Sequence, residues 1–142
     1  RFIELAAEVN SHMPDYVVGK VGDALNAERK AINGSRILVL GVAYKRDVGD
    51  VRESPALDVI HLLRQRGAEV CFHDPFIELV QLYGYELAGT WLTAETLATA
   101  DCVVVITDHS SFDWTWIGSN ARLIVDTRNA LKGHAANRVV TL

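Results

Sequence analysis

The sequence has few of the residues that mark a metalloprotein, a disulfide-rich secreted protein or a membrane protein. Its 142 residues include two cysteines, three prolines and one methionine. Cys71 and Cys102 each lie in an apolar run without C-x-x-C or metal-ligand spacing, which favours free thiols buried in a reducing compartment. No apolar run is long enough to cross a membrane, and no signal peptide is visible. These absences predict a cytoplasmic chain that makes no use of a membrane.

Positive charge is also scarce. Fourteen Lys and Arg stand against eighteen Asp and Glu, the formal net charge is -4, and no basic run stands out. Because a nucleic-acid backbone must be neutralised by many cations, we expect no nucleic-acid partner. An anionic ligand would have to be met by a few placed cations. Apolar residues make up 49% of the chain, which suits one compact domain with a real core.

The first thirty residues carry apolar side chains at helical spacing. The pattern predicts two helical pieces, with a break before Pro14 and an end at Asn33 and Gly34. Since the chain begins at Arg1 in the middle of this apparent helix, we expect it to be a fragment of a longer protein.

The rest of the chain alternates strands with helices. The run SRILVLGVAY is apolar throughout, as in a strand buried on both faces of a parallel sheet. Ser54 and Pro55 then begin a helix that Gly67 ends. Further strands are predicted in AEVCFHD, CVVVITD, RLIVDTRN and, at the edge, RVVTL. Between them we predict a short helix or turn from Pro75 and helical segments in TAETLATA and SSFDWTWIG.

This alternation predicts the fold class. Strands that alternate with helices pair in parallel through right-handed crossovers. We therefore expect an α/β fold, a Rossmann-like three-layer sandwich with a mostly parallel sheet, preceded by a helical segment. In such sheets ligands bind at the carboxyl ends of the strands.

The segment after the first strand departs from the dinucleotide-binding fingerprint. Gly41 is not followed by the further glycines that let the backbone approach a pyrophosphate. The loop instead carries Lys45, Arg46 and Arg52, whose side chains could meet a phosphate. The alternative is a solvated loop in which neighbouring carboxylates pair with these cations, and spacing does not decide between the two. Those carboxylates are Asp47, Asp50 and Glu53.

A second cation follows the fourth predicted strand. Arg128 could converge with Lys45 on a diphosphate at the same sheet edge, or it could be a turn arginine paired with Asp126. Asp74 closes the second predicted strand, where an acidic residue can bind a ribose hydroxyl, but Asp followed by Pro also opens ordinary turns and we favour the turn.

The remaining candidates have simple interpretations. His73 and His109 have no nucleophile or carboxylate partner at motif spacing, which favours ordinary loop histidines. Trp114 and Trp116 are expected to pack in the core and on the surface. No catalytic motif is visible, so the residues by themselves indicate a phosphate-binding α/β module.

Three segments carry a specific resemblance: LGVAYKRDVGDVRESPALDVI, GAEVCFHDP and LIVDTRNAL. They resemble the carboxyl-terminal UDP-binding domain of the UDP-sugar 6-dehydrogenases, a family typified by UDP-glucose dehydrogenase. The core signature is K-x-x-x-x-D-x-R-E-S-P, from Lys45 to Pro55. The resemblance divides the chain into residues 1–33, the tail of a central helical dimerisation region, and residues 34–142, the UDP-binding domain.

The resemblance implies an enzyme that oxidises the sugar 6-hydroxymethyl to a carboxylate and reduces two NAD. It implies that Tyr44 and Lys45 line the UDP-sugar site, that Arg128 binds UDP, and that Arg52 reaches the NAD phosphates across an interdomain cleft. The NAD-binding domain and the catalytic cysteine would lie upstream of Arg1. The implied parent is a homodimer or larger, and this fragment alone should be inactive.

The Met-Pro step in SHMPDYVV and the Ala-Tyr-Lys triplet in GVAYK resemble the UDP-N-acetylglucosamine branch of the family, which sets the expected sugar. Two alternatives from other classes stay open. One is a stand-alone nucleotide- or phosphate-binding regulatory module. The other is a ligand-free interaction domain in which the charges of residues 45–53 pair with one another.

Overall fold

The computed structural model describes residues 2–142, with side chains from Met13 onward. Four helices lie in this part of the chain: α1 (Phe2–Ala27), α2 (Pro55–Gln65), α3 (Ala94–Thr99) and α4 (Trp114–Asn120). The seven strands are β1 (Arg36–Leu40), β2 (Glu69–His73), β3 (Leu79–Leu82), β4 (Tyr85–Ala88), β5 (Cys102–Val105), β6 (Ile124–Asp126) and β7 (Val139–Thr141).

Five of the strands form one parallel sheet in the order β2-β1-β5-β6-β7. All four neighbouring pairs are parallel, and β1 is central to the register, with Leu38 opposite Cys71 of β2 and Val103 of β5. Because the strands are parallel, their carboxyl ends lie at one edge of the sheet. After β2 the chain continues on the other side of β1, so the strand order changes direction between β1 and β5, the kind of point at which such sheets bind ligands. As predicted, the last strand lies at the edge of the sheet.

Each face of the sheet is covered by its own apolar layer. Ile37 and Val39 point towards α1 and α2, whereas Leu38 and Leu40 point towards α3 and α4. This alternation is the two-residue period of a strand buried on both faces. The arrangement confirms the predicted Rossmann-like three-layer sandwich preceded by a helix.

The caps of α2 also follow the prediction. Ser54 adopts an extended conformation and its hydroxyl accepts the Ala56 N–H, with Pro55 at the first helical position. Gly67 follows the end of the helix with a φ of 92°, where a Cβ would also collide with Asn33.

The predicted break before Pro14 is wrong, because α1 runs through it without interruption and ends at Ala27 rather than at Asn33. A proline removes only one hydrogen bond from the helix it interrupts. Pro14 is itself buried, and the turns that follow it pack Val18 and Leu25 into the core with no exposed surface. We infer that this packing offsets the lost hydrogen bond.

Of the short helix or turn predicted from Pro75, only the turn at Pro75 and Phe76 is present, and the residues after it are not helical. Residues 79–88 form an antiparallel hairpin, in which Leu82 faces Tyr85 across a turn of Tyr83 and Gly84. Gly84 has a φ of 85°, which the turn requires. Val80 is buried while its neighbours on the strand are not, so the true period is two rather than three or four.

None of the helices in residues 2–142 combines the length and hydropathy that a membrane span requires.

Candidate functional site

The candidate site lies at the edge of the sheet where β1, β5 and β6 end. Three segments meet there: residues 42–54 after β1 (the β1 loop), residues 106–113 after β5 (the β5 loop) and residues 127–138 after β6 (the β6 segment). Gly41 lets them meet, because its φ is 81° and any Cβ there would collide with the Thr107 carbonyl. The glycine therefore serves close packing of two strand ends, not the approach of a pyrophosphate.

Lys45 lies exposed on the β1 loop beside the exposed ring of Tyr44. Its Nζ is 5.4 Å from the centre of that ring, within the range of a cation–π contact. In the part of the chain whose side chains are described, Lys45 forms no salt bridge. This lysine is thus presented to solvent with an aromatic platform beside it.

The two arginines of the β1 loop are paired, but only Arg52 pairs with a carboxylate of its own loop, as the solvated-loop alternative requires. Arg46 binds Asp108 of the β5 loop, with Nη2 2.6 Å from Oδ2 and Nε 3.0 Å from the backbone oxygen. The guanidinium of Arg52 binds Asp50 through Nε and Nη2. Asp47, in contrast, bonds to the β5 loop and not to a cation of its own loop.

Arg52 is the more open of the two arginines, with 87% of its side chain exposed against 59% for Arg46. Hydrogen bonds from Arg52 lower the pKa of Asp50 to about 2, and Asp50 in turn raises the pKa of Arg52. The Asp50 carboxylate occupies Nε and Nη2, and no side chain described in the structure hydrogen-bonds to Nη1. An exposed guanidinium of this kind has the chemistry to bind a cofactor phosphate.

Arg128, the second residue of the β6 segment, is anchored by a hydrogen bond from its own side chain. Its Nε donates to the backbone oxygen of Ile106, 2.8 Å away, while its N–H donates to Asp126. The turn between Asp126 and Arg128 is therefore present, but the ion pair of the simpler interpretation is not. A cavity of about 180 Å³ opens beside it. Its lining is Met13, Val17, Pro55, Ile106, Thr127 and Arg128.

The lining of that cavity does not include Lys45. Arg128 and Lys45 lie at the same edge of the sheet but on segments that β5 separates. Their convergence on one diphosphate remains a prediction.

His109 is buried and hydrogen-bonded at this edge of the sheet, which the sequence did not indicate. His109 has no exposed surface, and its Nε2 lies 2.8 Å from Oδ2 of Asp74, itself only 6% exposed. A carboxylate partner is present although none stands at motif spacing, because Asp74 reaches His109 from the end of a different strand. Sequence spacing carries no signal for such a contact. That His109 takes no part in catalysis stays a prediction.

Asp74 forms the predicted turn and does more. Its Oδ1 accepts the Phe76 N–H, while Oδ2 also accepts the N–H groups of Val42 and Ala43. With these donors on its oxygens, Asp74 organises the start of the β1 loop. This structural use argues against the ribose-binding alternative, in agreement with the turn interpretation.

Cys102 and the two tryptophans lie as the sequence predicts, whereas Cys71 is less buried than expected. Both cysteines are free, Cys71 half-buried and Cys102 buried. Burial raises the pKa of the Cys71 thiol and raises that of Cys102 to about 12, so neither is suited to act as a nucleophile. Trp114 and Trp116 are partly buried against the core. No group of three or more His, Cys, Asp or Glu in the described residues could hold a metal ion.

Comparisons with known proteins match most of this chain. Residues 38–133 match the family described as "UDP-glucose/GDP-mannose dehydrogenase family, UDP binding domain". A UDP-N-acetyl-D-mannosamine dehydrogenase of Methanococcus maripaludis is 34% identical over 140 residues, 93% of this chain and 31% of that protein. One of Escherichia coli is 35% identical over 117 residues, 79% of this chain and 28% of that protein.

A solved structure gives the same result. The UDP-N-acetyl-D-mannosamine dehydrogenase of Pyrococcus horikoshii superposes with a TM-score of 0.80 at 29% identity, over 98% of this chain and 32% of that one. The chain spans about a third of the length of the relatives it matches. These relatives carry N-acetylmannosamine names, so they do not support the N-acetylglucosamine branch expected from the sequence.

Proposed function

This chain belongs to the UDP-glucose/GDP-mannose dehydrogenase family and corresponds to its UDP-binding domain, and from that premise we propose that it holds the UDP-sugar of an NAD-dependent nucleotide-sugar 6-dehydrogenase. The whole enzyme would convert the sugar 6-hydroxymethyl to a carboxylate. The catalytic cysteine belongs to another part of that enzyme, so the chain alone is inactive in this proposal.

The observation that carries the proposal is the state of Lys45. The other cations of the β1 loop are neutralised by carboxylates, whereas Lys45 is exposed at the ligand edge and forms no salt bridge in the described part of the chain. An unpaired ammonium beside an aromatic ring suits a diphosphate next to a sugar or base. The solvated-loop alternative requires the carboxylates of the loop to pair with its cations, so it does not account for Lys45.

The proposed roles of the remaining residues follow from where they are held. Tyr44 lines the UDP-sugar site together with Lys45. Arg128, braced against the Ile106 carbonyl, meets the UDP portion. Arg52 directs its exposed guanidinium towards a phosphate of NAD held by the NAD-binding domain.

The contribution of this chain to the reaction is to bind and orient. Two cations on separate segments would fix the diphosphate at two points, which holds the attached sugar in place for the other domain. When bound, NAD supplies the hydride acceptor, and two molecules account for the four electrons between alcohol and carboxylate.

We further propose a UDP-N-acetylhexosamine as the substrate class. The names of the relatives favour N-acetylmannosamine, whereas the Met-Pro step and the Ala-Tyr-Lys triplet favour N-acetylglucosamine. In the same proposal, residues 1–33 are the tail of a dimerisation region of a homodimeric or larger cytoplasmic enzyme.

The experiment uses the full-length protein from the source gene. NADH formation is followed with UDP-N-acetylmannosamine, UDP-N-acetylglucosamine and UDP-glucose, and the product is identified by mass spectrometry. We expect two NADH per sugar and an uronate product from one of the N-acetylhexosamines. No NADH with any of the three would favour the regulatory module or the ligand-free interaction domain.

A further inference from the structure

The ring of His109 is an unusually constrained group at the ligand edge. It belongs to the β5 loop yet has no exposed surface. The rings of Phe76 and Phe112 pack against it, with centroids 4.9 and 5.8 Å away. Both of its nitrogens are hydrogen-bonded, to Asp47 in the β1 loop and to Asp74 at the end of β2.

These two partners determine which nitrogen carries the ring proton. Nδ1 lies 2.9 Å from the backbone nitrogen of Asp47, a group that can only donate, so Nδ1 must be the unprotonated acceptor. Nε2 lies 2.8 Å from Oδ2 of Asp74 and therefore carries the hydrogen. A neutral ring with its proton on Nε2 satisfies both contacts.

The two hydrogen bonds of the His109 ring hold the β1 loop on either side of Tyr44 and Lys45, the residues that the proposed function places at the UDP-sugar. Oδ2 of Asp74, which accepts from the ring, also accepts the N–H groups of Val42 and Ala43. The other side of the ring holds residue 47. Tyr44 and Lys45 lie between the two fastened points, so the ring limits how far their backbone can move.

The conformation of Asp47 explains why a fastening is needed there. Its φ is 62°, a left-handed conformation that costs a non-glycine residue free energy. The N–H of Asp47 bonds to His109, and its carboxylate accepts from the backbone and hydroxyl of Ser110. The β5 loop thus hydrogen-bonds to both the backbone N–H and the side chain of Asp47.

We propose that His109 is a positioning residue for the UDP-sugar loop: its unprotonated Nδ1 accepts the Asp47 N–H and so fixes the backbone that presents Lys45, whereas the contact of Nε2 with Asp74 sets the tautomer of the ring. This inference rests on the proposed function, because the position of Lys45 matters to affinity only if Lys45 binds the UDP-sugar. The tests below therefore include one that needs no ligand.

The first test reads the ring proton directly, by nitrogen-15 correlation spectroscopy of the histidine rings in the labelled chain. We expect an unprotonated Nδ1 and a protonated Nε2 at His109. His73 is the internal control, since its Nδ1 lies 2.8 Å from the Thr90 carbonyl oxygen and must donate, which makes the opposite tautomer. A protonated Nδ1 at His109 would overturn the inference.

The second test separates the two contacts with amide side chains. The amide oxygen of His109→Asn can replace Nδ1 and keep the Asp47 contact, whereas the amide nitrogen of His109→Gln can replace Nε2 and keep the Asp74 contact. Each variant loses one hydrogen bond, so a merely structural role predicts equal effects. His134→Gln, at an exposed histidine, is the control for the substitution itself.

We expect His109→Gln to weaken UDP binding by about five- to tenfold, the equivalent of one hydrogen bond, and to lose exchange protection at the Asp47 amide. His109→Asn should retain both. Equal effects on UDP affinity and on the Asp47 amide in the two variants would refute the positioning role.

Failure of the inference can be told from failure of the proposed function. If the unmodified chain binds UDP and His109→Gln binds it equally well, the positioning role is wrong and the proposed function stands. If the unmodified chain does not bind UDP, the proposed function fails, and the ring tautomer with the Asp47 exchange rate still decides whether His109 fixes the loop.

Discussion

Lys45 of the β1 loop and Arg128 of the β6 segment lie at the same edge of the sheet, but the two segments hold these cations in different ways. In the β1 loop the backbone is fastened by buried polar groups and the side chain of Lys45 is left free. In the β6 segment the side chain of Arg128 is itself the fastening, bonded to the Ile106 carbonyl. Lys45 is thus positioned by hydrogen bonds to the backbone of its loop, whereas Arg128 is positioned by a hydrogen bond from its own guanidinium.

This difference predicts which substitutions should lower the stability of the fold, the affinity for UDP, or both. Where the backbone is held by other residues, removing the cation should cost affinity alone. Where the cation is also a structural donor, its removal should cost stability as well. The two segments can therefore be separated by measuring unfolding and UDP binding on the same variants.

The largest effect is expected where the β1 loop begins. Asp74→Ala would leave the donors of Val42, Ala43, Phe76 and His109 without their acceptor, and we expect it to lower the free energy of unfolding by about 3–5 kcal/mol in urea titrations. Asp126→Ala is the matched change in the β6 segment.

The side chain of Asp126 accepts the N–H groups of Arg128 and Leu131, two donors rather than four, so we expect a smaller loss, about 2–3 kcal/mol. Equal losses at Asp74 and Asp126 would mean that the β1 loop is no more fastened than the β6 segment.

Arg128→Ala should affect both properties. We expect UDP affinity to fall by about 1.5–3 kcal/mol, the range of charge-assisted hydrogen bonds, and unfolding free energy to fall by about 0.5–1.5 kcal/mol through the lost bond to Ile106. Calorimetry with UDP and urea unfolding measure the two. Stability identical to the unmodified chain would show that the Ile106 contact does not hold this segment.

Lys45→Ala should affect affinity alone. Because Lys45 forms no salt bridge in the described part of the chain, unfolding should change by less than about 0.5 kcal/mol, while UDP affinity falls by about 1.5–3 kcal/mol. The same calorimetric and urea measurements apply. Lys45→Arg, which keeps the charge, is the control and should retain most of the affinity.

Arg52→Ala should have the smallest effect in this chain. We expect UDP affinity to be almost unchanged, because the proposed partner of Arg52 is NAD bound to another domain. The pKa of Asp50, which Arg52 holds at about 2, should return towards its ordinary value, as a carboxyl titration by NMR would measure. A pKa lowered by the fold stabilises it above the ordinary carboxyl pKa, and this stabilisation is lost as the pH falls towards 2.

In the full-length enzyme, Arg52→Ala should raise the NAD concentration needed for half-maximal rate. Loss of UDP binding in this chain would instead place Arg52 with the UDP-sugar contacts.

Much of the fold could be predicted because its signals are local. The apolar run at residues 37–40, the Ser54 cap with Pro55, and Gly67 each report on the residues next to them. The hairpin at residues 79–88 was missed because its apolar residues also fit a helical spacing. The break predicted before Pro14 is wrong because helix propensity is a local property and does not include the tertiary packing that keeps α1 continuous.

In the candidate site, too, local features could be predicted and contacts between distant residues could not. The cations of the β1 loop could be identified from their spacing, and the resemblance assigned them roles. The bridge from Asp47 through His109 to Asp74 could not be predicted, since its members are 62 and 35 residues apart and meet only when three strands align. Pairing of Arg46 with Asp108 rather than with its own loop is unpredictable for the same reason.

The central claim is that this chain holds a UDP site at the edge formed by β1, β5 and β6. Its most direct test is a calorimetric titration of the 142-residue chain with UDP, with ADP as the matched diphosphate control. The account predicts saturable one-to-one binding of UDP that Lys45→Ala weakens, and weaker binding of ADP. No heat and no thermal shift at millimolar UDP, or binding that Lys45→Ala and Arg128→Ala leave unchanged, would contradict it.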